Sequence, residues 1–171
     1  MVENEYVPFT HAEKRIYLTQ KLHPDSCMWN VPVSLRITMV DLQRLHKALY
    51  LVIKNTPGLD VIFSEKNGVP SKRVVKDFEP VIETIDFSVQ GEQAYLEWAE
   101  LQAKTSIPML DCQPYRLGIA NVGDSIGYLF TNYHHIAADG GASDLIFRQV
   151  IKTYEELERG EAVQFPQPLS L

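Results

Sequence analysis

Cysteine is scarce in this chain: Cys27 and Cys112 are the two present among 171 residues. They lie far apart and lack the paired spacing of a metal-binding framework, so both are read as ordinary reduced thiols. Long apolar runs are also missing. No stretch reaches the roughly 18 residues that a membrane span needs. The opening Met1-Val2-Glu3-Asn4-Glu5 is acidic and holds no apolar signal core. These absences point to a cytoplasmic protein with no membrane partner. A basic excess is lacking too. The net charge is -6, and the Lys and Arg residues are scattered. Such a chain is poorly suited to a phosphate backbone, so nucleic acid is not an expected partner. There is no Ser nucleophile elbow, no phosphate-binding glycine loop and no dinucleotide fingerprint. Gly140-Gly141-Ala142-Ser143 has glycines but no P-loop lysine. Internal repeats, heptad seams and low-complexity tracts are absent as well.

What is present is enough for one folded domain: 45% of the residues are hydrophobic. Thr10 and Glu13 form a capping-box pattern that opens a helix running to about Leu22. His23-Pro24-Asp25-Ser26 breaks it. Alternating Val31, Val33, Leu35 and Ile37 read as a strand from Trp29 to Thr38, with Pro32 placing its early part at an edge. Asp41 caps a second helix whose apolar stripe is Leu42, Leu45, Leu49, Val52 and Ile53. Leu59 to Phe63 and Val69 to Val75 are strands joined by an Asn67-Gly68 turn. Val81 to Ile85 is a short strand. A third helix spans about Val89 to Lys104, with Tyr95, Trp98 and Leu101 or Gln102 on one side. Tyr115 to Val122 and Ile126 to Tyr133 flank a second hairpin signal, Gly123-Asp124. A last helix runs from about Ala142 to Glu158, and Pro166-x-Pro168 leaves the domain. Helices alternating with strands and hairpins imply an α/β sandwich built on a mixed sheet.

The most informative stretch is His134-His135-Ile136-Ala137-Ala138-Asp139-Gly140. It sits between a β-branched, aromatic run and the last helix. A proton-transfer group at a strand-to-loop junction is held by rigid elements and left accessible by the loop. Gly140 and Gly141 are expected to relieve the backbone at this turn. Neighbouring strand residues point to opposite faces, so the two imidazoles should not share one site and no metal is expected there. His135 is the candidate proton-transfer residue, and His134 is read as structural. His11, His23 and His46 have no partner pattern and are taken as surface or satisfied core residues.

His-His-x-x-x-Asp-Gly resembles the core motif of the condensation domains of nonribosomal peptide synthetases. The shorter pattern from His135 to Gly140 is shared with the wider superfamily of CoA-dependent acyltransferases, which includes chloramphenicol acetyltransferase. The opening from Val7 to Tyr17 is similar to the family's first motif, a Leu-Thr/Ser-x-Ala-Gln stretch, with Glu13 where Gln is usual. The segment from Asn55 to Phe63 sits where the family has Arg-His-Glu-x-Leu-Arg-Thr-x-Phe. Leu59 and Phe63 match it. Asp60 replaces the arginine that in the family pairs with the motif aspartate. Two carboxylates brought close would repel. Either Asp60 points elsewhere or another cation, with Arg148 and Arg36 as candidates, pairs with Asp139.

The resemblance implies one lobe of the chloramphenicol acetyltransferase-like fold. Residues 1–171 are expected to be the N-terminal lobe of a condensation domain, without its C-terminal lobe and inactive when isolated. The implied reaction is amide (peptide) bond formation between a carrier-bound acyl or peptidyl thioester and an aminoacyl thioester. His135 would act as base, orient the amine, or stabilise charge on the tetrahedral intermediate. Asp139 would orient the loop through an ion pair or through hydrogen bonds to backbone amides, and Gly140 would let backbone approach substrate closely. No cofactor is expected on this lobe, because the substrates ride on phosphopantetheine arms of peptidyl carrier protein domains. Those carriers, the C-terminal condensation lobe and an adenylation domain are the implied partners. Ester-forming or epimerising relatives, a CoA-type acyltransferase lobe, and a non-catalytic carrier-docking module are the alternatives. His134 and His135 disfavour the heterocyclising branch, which carries aspartates there.

Overall fold

Thr10 and Glu13 open the first helix as their spacing requires. In this computed structural model, which describes residues 6–165, Glu13 N–H donates to Thr10 Oγ1 at 3.2 Å. Thr10 N–H donates back to Glu13 Oε2 at 2.7 Å. The reciprocal pair satisfies donors that a helix start leaves orphaned and begins α1 (His11–Leu22). Asp41 likewise accepts from Arg44 N–H at 3.0 Å to start α2 (Leu42–Lys54). Leu45, Ala48, Leu49, Val52 and Ile53 fall on one face of α2, and all are buried. Each large aliphatic side chain removed from water contributes about 1.5–3 kcal/mol. α3 (Glu92–Lys104) and α4 (Gly140–Glu158) complete the helices.

Among the described residues, seven strands form two sheets. The larger contains β2 (Asn30–Thr38), β5 (Glu83–Asp86), β6 (Tyr115–Gly123) and β7 (Ile126–His134), in the order β2-β7-β6-β5. β7 runs antiparallel to β2 and β6, and β5 runs parallel to β6, so the sheet is mixed. Pro32 lies on the edge strand β2, where a missing N–H does not interrupt a central ladder. α2 and α4 cover one face, burying Leu117, Ile119, Leu129 and Tyr133 with Ile146 and Val150. α3 covers the other, where Tyr95 stacks on Tyr128 with ring centroids 4.0 Å apart. Gly127 is needed on the α2 face: a Cβ at this position would fall 2.7 Å from Leu42 Cδ2 and 2.9 Å from Val40 Cγ1.

The smaller sheet is antiparallel, in the order β1 (Val7–Pro8), β4 (Val69–Val74), β3 (Val61–Lys66). Asn67 (φ 53°) and Gly68 (φ 77°) make its hairpin turn. Positive φ at both central residues is what Asn-Gly supplies at low steric cost. α1 packs against this sheet through a second core of Phe9, Tyr17, Phe63, Met109 and Ile136.

Several element boundaries differ from the sequence expectation. β3 begins at Val61 rather than Leu59, because Leu59 is instead buried in the main core beside the turn that precedes the strand. β5 starts at Glu83 rather than Val81, which is exposed. α3 starts at Glu92 rather than Val89, since Gly91 at φ 82° forms its N-cap. Gln102 rather than Leu101 faces inward on α3, Leu101 being exposed. The Pro166-x-Pro168 tail lies outside the described residues.

Candidate active site

β7 ends at His134, paired with Asn30 of β2. His134 N–H donates to Pro114 O at 2.8 Å. Its ring follows the alternation of the strand onto the α3 side and is 1% exposed. There Nδ1 accepts the Ile136 N–H at 3.2 Å, and the His134 carbonyl accepts the Ala137 N–H at 2.9 Å. An accepting Nδ1 requires the neutral ring with its proton on Nε2. Burial, reinforced by the neighbouring His135, pushes the His134 pKa down to about 4, so the neutral form is the one present near pH 7. His134 therefore shapes the turn rather than facing a substrate.

His135 comes next, and the strand gives way to a turn. Its N–H donates to Trp29 O at 2.7 Å, and its side chain is exposed. One imidazole is sealed on the sheet and the other faces outward. His135 lines an open groove of about 460 Å³ between the start of α1 and the loop after β7. Thr10, Glu13 and Ile16 form one wall; Ala137 and Asp139 continue the other.

Asp139 is the N-cap of α4. Its Oδ1 accepts the Ala142 N–H at 2.8 Å, and its carbonyl accepts the Ser143 N–H at 3.1 Å. A carboxylate is also favoured at the positive end of the helix dipole. Of the two expectations for Asp139, the backbone hydrogen bonds are the ones seen. Neither candidate cation reaches it: Arg148 Nε lies 2.7 Å from Asp144 and Arg36 Nε 2.6 Å from Glu92. Both arginines have acidic partners close to their own elements, which satisfy them first. Asp60 points elsewhere, its Oδ1 accepting the Gly58 N–H at 3.0 Å within its own turn.

Gly140 corrects a second expectation. It is the first residue of α4, and neither it nor Gly141 has a left-handed φ. The Asp139 cap starts the helix at once, so no special turn conformation is needed, and α4 begins two residues before Ala142. A Cβ on Gly140 would meet nothing within 4 Å.

The sequence matches the family model described as "Condensation domain" over residues 3–169. This chain belongs to the condensation domain family. It is 24% identical to a linear gramicidin synthase protein of Brevibacillus parabrevis over 94% of its own length and 3% of that protein. With a second linear gramicidin synthase protein of the same organism it is 28% identical, over 92% and 3%. With surfactin synthase subunit 1 of Bacillus subtilis (strain 168) the figures are 22%, 93% and 5%. Among solved structures, the starter condensation domain of rhizomide synthetase RzmA superposes with a TM-score of 0.86 at 21% identity, covering 95% of this chain and 40% of that one. The first condensation domain of the CDA synthetase gives 0.81 at 20% identity, covering 96% and 44%. The chain thus has a condensation-domain fold and spans less than half of each of these solved domains.

Within this condensation-domain fold, the groove residue Glu13 and the neighbouring Trp29 have more to them than their local pattern. Glu13 reads in the sequence as a helix cap. It also accepts from Lys72 Nζ at 2.6 Å, the side chains being 14% and 26% exposed. Burial raises the Glu13 pKa, but the Lys72 and Thr10 hydrogen bonds outweigh it and hold the carboxyl below its ordinary value. Trp29 reads as the start of a strand, and it lies against His135. Both partners are distant in sequence, so no local pattern could pair them.

Proposed function

We propose that this chain is the histidine-bearing N-terminal lobe, of the chloramphenicol acetyltransferase-like type, in a domain that joins a carrier-bound acyl or peptidyl thioester to a carrier-bound aminoacyl thioester. The observation that carries this reading is the exposed His135 ring on an open groove, fixed by its backbone at the end of β7. In the reaction, the amine nitrogen attacks the thioester carbonyl. A C–N bond forms, the C–S bond breaks, and the thiol leaves. The proton lost by the amine passes to the His135 imidazole and from it to the departing sulfur. The same ring can hold the amine in line for attack. His134 and Asp139 support the loop and take no part in proton transfer. The substrates ride on phosphopantetheine arms of peptidyl carrier domains in this reading. A C-terminal lobe and an adenylation domain are further partners, the setting is cytoplasmic, and the lobe itself holds no cofactor.

The test is a product assay with loaded donor and acceptor carriers on the full-length protein, comparing wild type with His135→Ala. A loss of ~10²–10⁴-fold is the range for a removed acid–base group. Undiminished product formation by the variant would reject the reading.

A further inference from the structure

Trp29 immediately precedes β2 and lies beside the end of β7. It meets His135 twice. Its carbonyl accepts the His135 N–H at 2.7 Å, and the two rings meet edge-on, with centroids 5.8 Å apart and planes at 78°. Edge-to-face pairs at such separations are attractive and depend on orientation. The carbonyl is itself held. Asn30 N–H donates to Cys27 O at 2.9 Å, closing a turn across Trp29. Asn30 Nδ2 donates to Ala103 O at 2.7 Å and to Thr105 O at 2.9 Å, tying this turn to the end of α3. The indole Nε1 is buried and has no hydrogen-bond partner among the described residues. A buried indole N–H ordinarily finds an acceptor, so packing rather than its own hydrogen bond sets this ring.

We infer that Trp29 is a positioning residue for His135. Its backbone fixes where the imidazole is attached, and its indole fixes which way the ring points over the groove. An exposed histidine would otherwise sample several rotamers, and a misplaced reacting group is costly in rate. The inference rests on the reading of His135 given above.

Two measurements separate it from that reading. The first is NMR of the 171-residue chain labelled in its histidine rings, with the His135 signal assigned by its disappearance in His135→Ala. The indole's ring current should displace the His135 Cε1–H resonance. Trp29→Leu should abolish the displacement and Trp29→Phe should keep part of it, with the His134 signal unmoved as a control on folding. An identical His135 resonance in wild type and Trp29→Leu would overturn the inference whatever the chemistry. The second is turnover of the full-length protein. Trp29→Leu should lower kcat about 10-fold or more at little change in KM, and Trp29→Phe should restore most of it. A raised KM at unchanged kcat would also overturn it. Full activity of His135→Ala would instead remove the catalytic reading, while the NMR result would still report on the contact.

Discussion

Lys72, on the central strand of the small sheet, reaches across to Glu13 at the start of α1 and places its Nζ 2.6 Å from Oε1. The ion pair fastens one wall of the groove to a sheet that contributes no residue to the His-His-x-x-x-Asp-Gly motif. Glu13 is thereby both cap and anchor.

The depressed Glu13 pKa fixes the sign of a pH effect. Its stabilisation is fully present above the unfolded-state value, about 4.3, and is lost as pH falls through the lower folded-state value. Lys72→Met should lower stability at pH 7 by about 1–2 kcal/mol. The gap to wild type should narrow as the solution is acidified. Urea unfolding across a pH series checks this, and curves that stay parallel down to about pH 2 would refute it.

His134 titrates with the opposite chemistry and the same sign. Its folded pKa of about 4 lies below the roughly 6.5 of a free imidazole. The unfolded chain therefore binds the extra proton between those values, and stability falls as pH drops from about 6.5 to about 4. The shift corresponds to about 3 kcal/mol. His134→Asn offers an oxygen to the Ile136 N–H without a titrating ring, so it should flatten that part of the pH–stability profile. A wild-type slope persisting in the variant would assign the titration elsewhere.

A cap and an ion pair at Asp139 make different demands. Asp139→Ala should cost about 1 kcal/mol, the usual value of an N-cap, and Asp139→Asn should recover most of it because the amide oxygen can still accept the Ala142 N–H. Thermal unfolding of the two variants distinguishes them. Equal losses would show that the charge, not the cap, is what matters.

Gly127 is a packing prediction. Gly127→Ala pushes a methyl into Leu42 and Val40, and overpacking of this kind costs about 1–3 kcal/mol. A denaturation midpoint unchanged from wild type would show that α2 can move aside.

Features encoded within a few residues were legible in the sequence. Thr10 with Glu13, Asp41 ahead of Leu42, and Asn67-Gly68 each carry their own geometry, and each appears where it was expected. The start of α4 was misplaced because two glycines signal a turn, whereas the Asp139 side chain caps the helix at once. β1 was missed because two residues have no periodicity; it exists through pairing of Val7 with Lys72 and Pro8 with Ser71. The division into two sheets was hidden for the same reason, since alternation reveals a strand but not its neighbour. At the site, the motif singled out His135, and the inside–outside split of the two histidines followed from strand alternation. The Lys72–Glu13 and Trp29–His135 contacts depend on tertiary structure and leave no local trace.

Ile136, one residue past the outward-facing imidazole, is 7% exposed and belongs to the small core with Phe9, Tyr17, Phe63 and Met109. The His135 ring is thus moored on both sides, to the large sheet through His134 and to the aromatic nest under α1 through Ile136. Slack in either mooring swings the imidazole. Substitutions at Phe9 or Phe63, remote from the motif in sequence, would then displace the His135 ring while the four-stranded sheet stays intact.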